Sequence, residues 1–336
     1  MSGRLPAVLL RSSSLAQIRH VIPAPPGTAD ATVAHVYQQM EREFGVLAPP
    51  VALHSPAPDV LAACWVMLRE TLLVTRAAPR AAKEAVAAEV SAANKCPYCV
   101  TMHTAAVRTL TRNDTGGRPR HEPLPAAYRP ELAAVALVFE YINRMVNVFL
   151  GEAPMPSQAP AAALGVVTRV LGRVIKAASR RVGEPGASLG LLPDAPLPPD
   201  LDWTAAEPGV AAALARATAV IDRAAIDTAG THTLPPSVRD VVEAELGAWD
   251  GRPKGPSRLW AGAAVSGLPE RDRPAGRLAL LTAMASYQVD DTVIAEYRAA
   301  HPSDRALIEL TSWASMAAAR RSAGSQLGAP AWRAES

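Results

Sequence analysis

The stretch "RAAKEAVAAEVSAANKCPYCVTMHTAAV", residues 80–107, decides how this chain is read. Its first part is dominated by alanine, the best helix former, and no turn residue interrupts it before Asn94. Two cysteines follow, Cys96 and Cys99, with His103 four positions after the second. Pro97 stands where a further helix would have its first residue, a position at which proline's missing N–H leaves no hydrogen bond unmade. One helix therefore leads into the cysteine pair, and a second leaves from it to about Leu110.

The same preference runs through the whole chain of 336 residues, long enough for one large or two mid-sized units, each with its own core. Hydrophobic residues make up 49% and aromatic residues only 4%, because alanine supplies so much of the apolar content. That balance favours an all-α protein. Charge is nearly even at +3, and no basic run with interleaved aromatics is present, so nucleic acid is not an expected partner. "VALVFEYINRMVNVFL", residues 135–150, is broken by Glu140, Asn143 and Arg144 and falls short of the roughly 18 apolar residues of a membrane span. The N-terminus has too short an apolar patch for a secretory signal. Three cysteines make no disulfide scaffold, so a reducing cytoplasm is the expected setting.

Helical periodicity recurs along the chain. The spacing predicts a helix capped by Thr28 or Asp30 and closed by Gly45, one from Pro58 to about residue 74, the two around the cysteines, and a long one from about Pro130 to Leu150. Further helices are predicted over 164–182, 207–226, 235–248, 257–265, 274–287, 290–299 and 303–325. Residues 80–106 set beside 273–299 begin alike with an arginine, continue as an alanine-rich helix, and reach a polar interruption and a second helix. Each has a tryptophan upstream, Trp65 or Trp260, and a long helix downstream bearing Arg144 or Arg320. The expected organisation is an arm (1–27), a helical unit (28–165), a helix and Pro/Gly-rich linker (166–200), and a degenerate second copy (201–330) packed on the first as a pseudo-dimer. In the second copy Arg277, Val289, Thr292 and Glu296 replace Glu84, Cys96, Cys99 and His103.

A zinc site would need a fourth ligand beyond Cys96, Cys99 and His103, and no second cysteine pair or nearby histidine cluster offers one. A c-type haem needs histidine directly after the second cysteine, where Val100 stands. No metal or cofactor is expected. Dithiol chemistry remains. A thiolate is favoured near a helix N-terminus or beside a histidine, and Cys99 and His103 share a helix face at i and i+4. Glu84, on the preceding helix, is placed to orient that imidazole. The helix dipole favours Cys96 as the thiolate and the histidine favours Cys99. "CPYC" also occurs in glutaredoxins, but there it follows a β-strand, whereas here a helix leads into it.

Glu84, Cys96, Cys99 and His103 together satisfy the pattern Glu, eleven residues, Cys, two residues, Cys, three residues, His, and "EVSAANKC" fits the run before the first cysteine. In these features the chain resembles the AhpD-like, or carboxymuconolactone decarboxylase, superfamily of alkylhydroperoxidases, most closely over about residues 57–110. The resemblance implies an AhpD-like helical bundle in which Cys99 attacks the peroxide, Cys96 resolves the sulfenic acid, and His103 acts as base held by Glu84. It also implies a hydroperoxide substrate, a thiol or lipoyl-protein reductant, and a homo-oligomer. Tyr98 departs from the pattern, since relatives often carry a second histidine between the cysteines. Two rivals are a lyase of the carboxymuconolactone decarboxylase type, which does not need the cysteine pair, and a non-catalytic redox-sensing or interaction protein.

Of the other candidates, Cys64 lies among apolar residues at helical spacing and reads as a core thiol. Glu89 reads as a solvated or structural carboxylate, and Asp290 and Asp291 as a helix cap and dipole partner. His20, His35, His54, His121, His232 and His301 stand singly, without ligand spacing to one another.

Overall fold

A computed structural model describes residues 11–28, 30–111, 125–155, 165, 172, 183–226 and 234–326. The described residues are helical and contain no strand. The main helices are α1 (Ala31–Glu43), α2 (Pro58–Leu68), α3 (Arg80–Ala93), α4 (Pro97–Thr111), α5 (Arg129–Phe149), α6 (Pro208–Ile226), α7 (Pro236–Gly247), α8 (Leu259–Ala264), α9 (Arg273–Ala285), α10 (Asp291–Arg298) and α11 (Asp304–Gln326). Their order follows the sequence periodicity closely. The helix expected over 164–182 lies outside the described residues, apart from positions 165 and 172.

Local chemistry accounts for the helix ends. Asp30 caps α1 by accepting the Val33 N–H at 2.9 Å, and Gly45, with φ of 88°, supplies the left-handed residue beyond its C-terminus. α2 runs on into one wider π-helical turn, Arg69–Leu73.

α2 and α5 form the centre. α2 is buried over most of its length and packs on α6, while α5 lies against α3 and α11. α5 with its preceding turn is long and apolar enough to cross a membrane, but 94% of that apolar window is buried inside the protein, as for a core helix. Trp65 is fully buried and its indole N–H donates to Gln39 Oε1 at 2.7 Å, fixing α2 on α1.

Two segments expected to be loose are tied down. The expected arm threads across both halves: Arg19 N–H donates to Phe149 O at 2.8 Å, Ile22 N–H to Asp304 at 2.7 Å, and Ala24 N–H to Ser55 at 2.8 Å. The expected linker is pinned at 183–192 by the buried Glu70, which accepts from the Gly186 N–H at 3.0 Å and the Ser188 hydroxyl at 2.9 Å. Arg69 and Arg76 neutralise Glu70 from its other sides. A buried carboxylate is stable only with such partners, so it draws the Pro/Gly-rich segment onto the bundle.

Candidate active site

The site is built where α3 turns into α4. Lys95 adopts φ of 52°, the left-handed conformation that ends α3. The Cys96 N–H then reaches back to Ser91 O at 2.9 Å and the Lys95 N–H to Ala92 O at 3.1 Å, a Schellman closure without the usual glycine. Lys95 stays in place because its ammonium sits 4.3 Å over the Tyr287 ring. The Asn94 side chain donates to Glu140 at 3.0 Å, and the Asn94 carbonyl accepts from Asn147 at 3.1 Å. The turn delivers Cys96 to the start of α4, where its carbonyl accepts the Val100 N–H at 3.0 Å, and Cys99 to the first turn.

Both cysteines are free thiols and almost wholly buried. Burial pushes the Cys99 thiol well above the usual range, and hydrogen bonding to Cys96 pushes it further, so its proton is held in the resting state. Tyr98 is buried, with its hydroxyl donating to Gln17 of the N-terminal segment at 3.1 Å. Burial and then the two cysteines hold the phenol protonated, so it supplies no base.

One helical turn beyond Cys99, His103 Nδ1 meets Glu84 Oε2 at 2.6 Å. A carboxylate can only accept, so Nδ1 carries a proton, and in the neutral imidazole the lone pair is then on Nε2. The other Glu84 oxygen receives Arg80 Nε at 2.7 Å and Nη2 at 2.6 Å. Burial alone would raise the Glu84 pKa, but Arg80 and then His103 outweigh it and hold the carboxyl down to about 2. Phe139 presents its ring to the imidazole edge-on at 4.5 Å, which fixes the ring from the third side.

The four residues singled out by spacing thus come together at one helix hairpin. Sequence reading missed their support. Arg80 served only to align the two halves, although its i to i+4 spacing to Glu84 signals an ion pair. On α5, Glu140, Asn143 and Arg144 read from the sequence only as breaks in an apolar run, and Asn147 gave no signal. Arg144 donates to Glu140 at 2.6 Å and to the Ala283 carbonyl at 2.7 Å, tying this layer to the second half.

His54 is a correction. It does not stand alone but is fully buried, with Nδ1 3.1 Å from Val51 O and Nε2 2.9 Å from the Tyr141 hydroxyl, which reaches Ser312 at 3.2 Å. Burial lowers its pKa to about 4. His301 likewise stacks on Tyr297 at 4.7 Å. His121 and His232 lie outside the described residues. Cys64 is fully buried and burial pushes its thiol far up. Glu89 is exposed, and Asp290 caps α10 by accepting the Val293 N–H at 3.2 Å. Among the described residues, no group of three or more His, Cys, Asp or Glu side chains is arranged to hold a metal ion.

The chain is similar to the alkyl hydroperoxide reductase Rv2159c of Mycobacterium tuberculosis, with 35% identity over 343 aligned positions that take in 94% of this chain and 96% of that relative. No family model matches the sequence. No solved structure matches it.

Proposed function

This chain belongs to the AhpD-like alkyl hydroperoxide reductase family, and from that premise we propose that it is a thiol-dependent peroxidase whose Cys96–Cys99 dithiol reduces hydroperoxides and is restored by a thiol or lipoyl-protein reductant. The observation that carries the reading is the 2.6 Å contact of Glu84 with His103, one helical turn from a buried pair of free thiols. Cys99 starts as a thiol, so it needs a base at the moment of attack rather than standing ionisation. His103, anchored through Nδ1, offers Nε2 to take that proton. The thiolate attacks the terminal peroxide oxygen; the O–O bond breaks and an S–O bond forms. The leaving alkoxide takes the proton from His103, giving an alcohol and a Cys99 sulfenic acid. Cys96 then attacks the sulfenic sulfur, releasing water and closing a disulfide. Two electrons from the reductant reopen it.

A second reading exchanges the two cysteines. It is favoured by the position of Cys96 at the helix N-terminus. Trapping with dimedone separates the two: after one equivalent of hydroperoxide, the single Cys→Ser variant that still forms a sulfenic acid retains the attacking cysteine. The function itself is tested by hydroperoxide consumption with a dithiol reductant, parent against Cys99→Ser. Disulfide formation without turnover would leave a redox sensor.

The same reading takes residues 28–165 and 201–330 as two copies of one helical unit packed as a pseudo-dimer, the second without chemistry. Support comes from Arg277 and Glu296, which pair across α9 and α10 at the positions aligned with Glu84 and His103.

A further inference from the structure

Lys95 closes the turn that carries the dithiol in a conformation its side chain disfavours. At φ of 52° it stands in the left-handed region, which a Cβ crowds and which glycine occupies freely. It is the first residue past the cap of α3, where such closures ordinarily use glycine. An exposed lysine holds that position only if its surroundings outweigh the strain.

Those surroundings come from the second half, at the turn Ser286–Gln288 that follows α9. Tyr287 sets its ring face 4.3 Å from the Lys95 ammonium. The Tyr287 hydroxyl donates to the Lys254 carbonyl at 2.9 Å and receives the Gln288 side-chain amide at 2.9 Å, so the ring is itself held. A side chain at Gly255 would collide with that hydroxyl, so the neighbouring loop is shaped to admit it. Ser286 acts one step further back. The Asn147 amide donates one proton to Ser286 Oγ at 3.0 Å and the other to the Asn94 carbonyl at 3.1 Å. With Arg80 set beside Arg273, Ser286–Gln288 stand at the positions of Ala93–Lys95. The turn that leads to the cysteines in one half is thus gripped by its counterpart in the other.

We infer that Tyr287 and Ser286 are positioning residues for the dithiol, holding the Asn94–Lys95 turn left-handed and with it Cys96 in register with Cys99 for disulfide closure; its part in turnover rests on the peroxidase reading above. Cys96 follows the turn directly and its side chain is hydrogen-bonded to that of Cys99, whereas Cys99 and His103 are carried by α4. Releasing the clamp lets Lys95 leave the left-handed region and lowers the fraction of chains in which the two sulfurs are aligned. The second half, without a thiol of its own, thereby completes the site.

The test times Cys96–Cys99 disulfide closure in the reduced full chain by acid quench and thiol mapping, at oxidant concentrations where the rate levels off. One oxidant is hydrogen peroxide. The other is diamide, which takes the two electrons and two protons of the dithiol and becomes a hydrazine. Tyr287→Leu should slow closure about threefold with either oxidant, within what one exposed cation–ring contact supplies, and Ser286→Ala by less. In a Lys95→Gly background the turn needs no clamp, so adding Tyr287→Leu there should not slow closure further. A Tyr287 that merely fills the interface would slow closure equally in both backgrounds; that result, or closure of Tyr287→Leu at the parent rate, overturns the inference alone. If Tyr287→Leu does not fold, Lys95→Met removes the ammonium but keeps the Cβ and should close about threefold more slowly than Lys95→Gly, equal rates overturning the inference. A parent that diamide closes and peroxide does not overturns the peroxidase reading, and the diamide rates still decide the clamp.

Discussion

Arg277 meets Glu296 at 2.9 Å across α9 and α10, nineteen residues apart in the chain, the separation at which Glu84 meets His103 across α3 and α4. The second hairpin thus keeps a charged clasp, but the groups that form it neutralise each other and offer no base. Val289→Cys with Thr292→Cys should therefore give thiols with little peroxidase activity, measured as hydroperoxide consumption in a Cys96→Ser, Cys99→Ser background. Turnover approaching that of the parent would show that the relay is dispensable.

The second half also supports the first from outside. A chain ending at residue 165 loses Tyr287 beneath Lys95, the Ala283 carbonyl that receives Arg144, the Ser286 hydroxyl 3.0 Å from Asn147, and the cover that α11 gives α5. Light scattering should find aggregation or new self-association. A monomeric fragment with full activity would make the second half an independent unit.

His103→Ala should lower kcat/KM for hydroperoxide by about a hundredfold, the lower end of what a positioned acid–base group contributes. Glu84→Gln keeps the ring but weakens its anchor, and a smaller loss, roughly tenfold, is expected. Arg80→Met leaves Glu84 as a buried carboxylate with one partner fewer, so it should slow the reaction in the same direction and by less. Equal rates for all three variants and the parent across pH would rule the relay out.

Mild peroxide treatment should yield one intramolecular disulfide between Cys96 and Cys99. Cys64 is fully buried and its thiol is pushed far up, so it should remain free. Peptide mapping decides this, and Cys64 in the disulfide would reverse the assignment.

Two groups set separate acid limits to stability. His54 has its folded pKa lowered from 6.5 to about 4, so the unfolded chain protonates first and stability falls as pH drops from about 6.5 to 4. The loss is on the order of 3 kcal/mol. His20 and His301, both lowered by burial, act in the same direction, so the diagnostic quantity is the difference between parent and His54→Gln in urea unfolding. Glu84, lowered from 4.5 to about 2, contributes stability that is present above about pH 4.5 and lost as pH falls towards 2. Glu84→Gln should remove that lower step and leave the upper one. Identical pH profiles for parent and His54→Gln would show that His54 titrates alike in the folded and unfolded chain.

The sequence by itself determined what short-range periodicity and capping encode. Alanine-rich repeats implied an all-α chain, Asp30, Gly45 and Pro97 marked helix ends, and the i to i+4 spacing put Cys99 and His103 on one face. Glu84 was within reach as well, because it lies on the helix that a hairpin folds back alongside the one carrying His103. Tertiary structure alone decided the rest. His54 became a buried neutral imidazole only through Tyr141, 87 residues away, and Lys95 is held left-handed against Tyr287 in the other half of the chain. Glu70 drew in the segment that composition marked as a linker. Asn143, an interruption in an apolar helix by its sequence, meets Ser91 at 3.1 Å because α5 packs on α3. Such contacts join segments far apart in sequence, and their cost or gain is set by burial that no local pattern records.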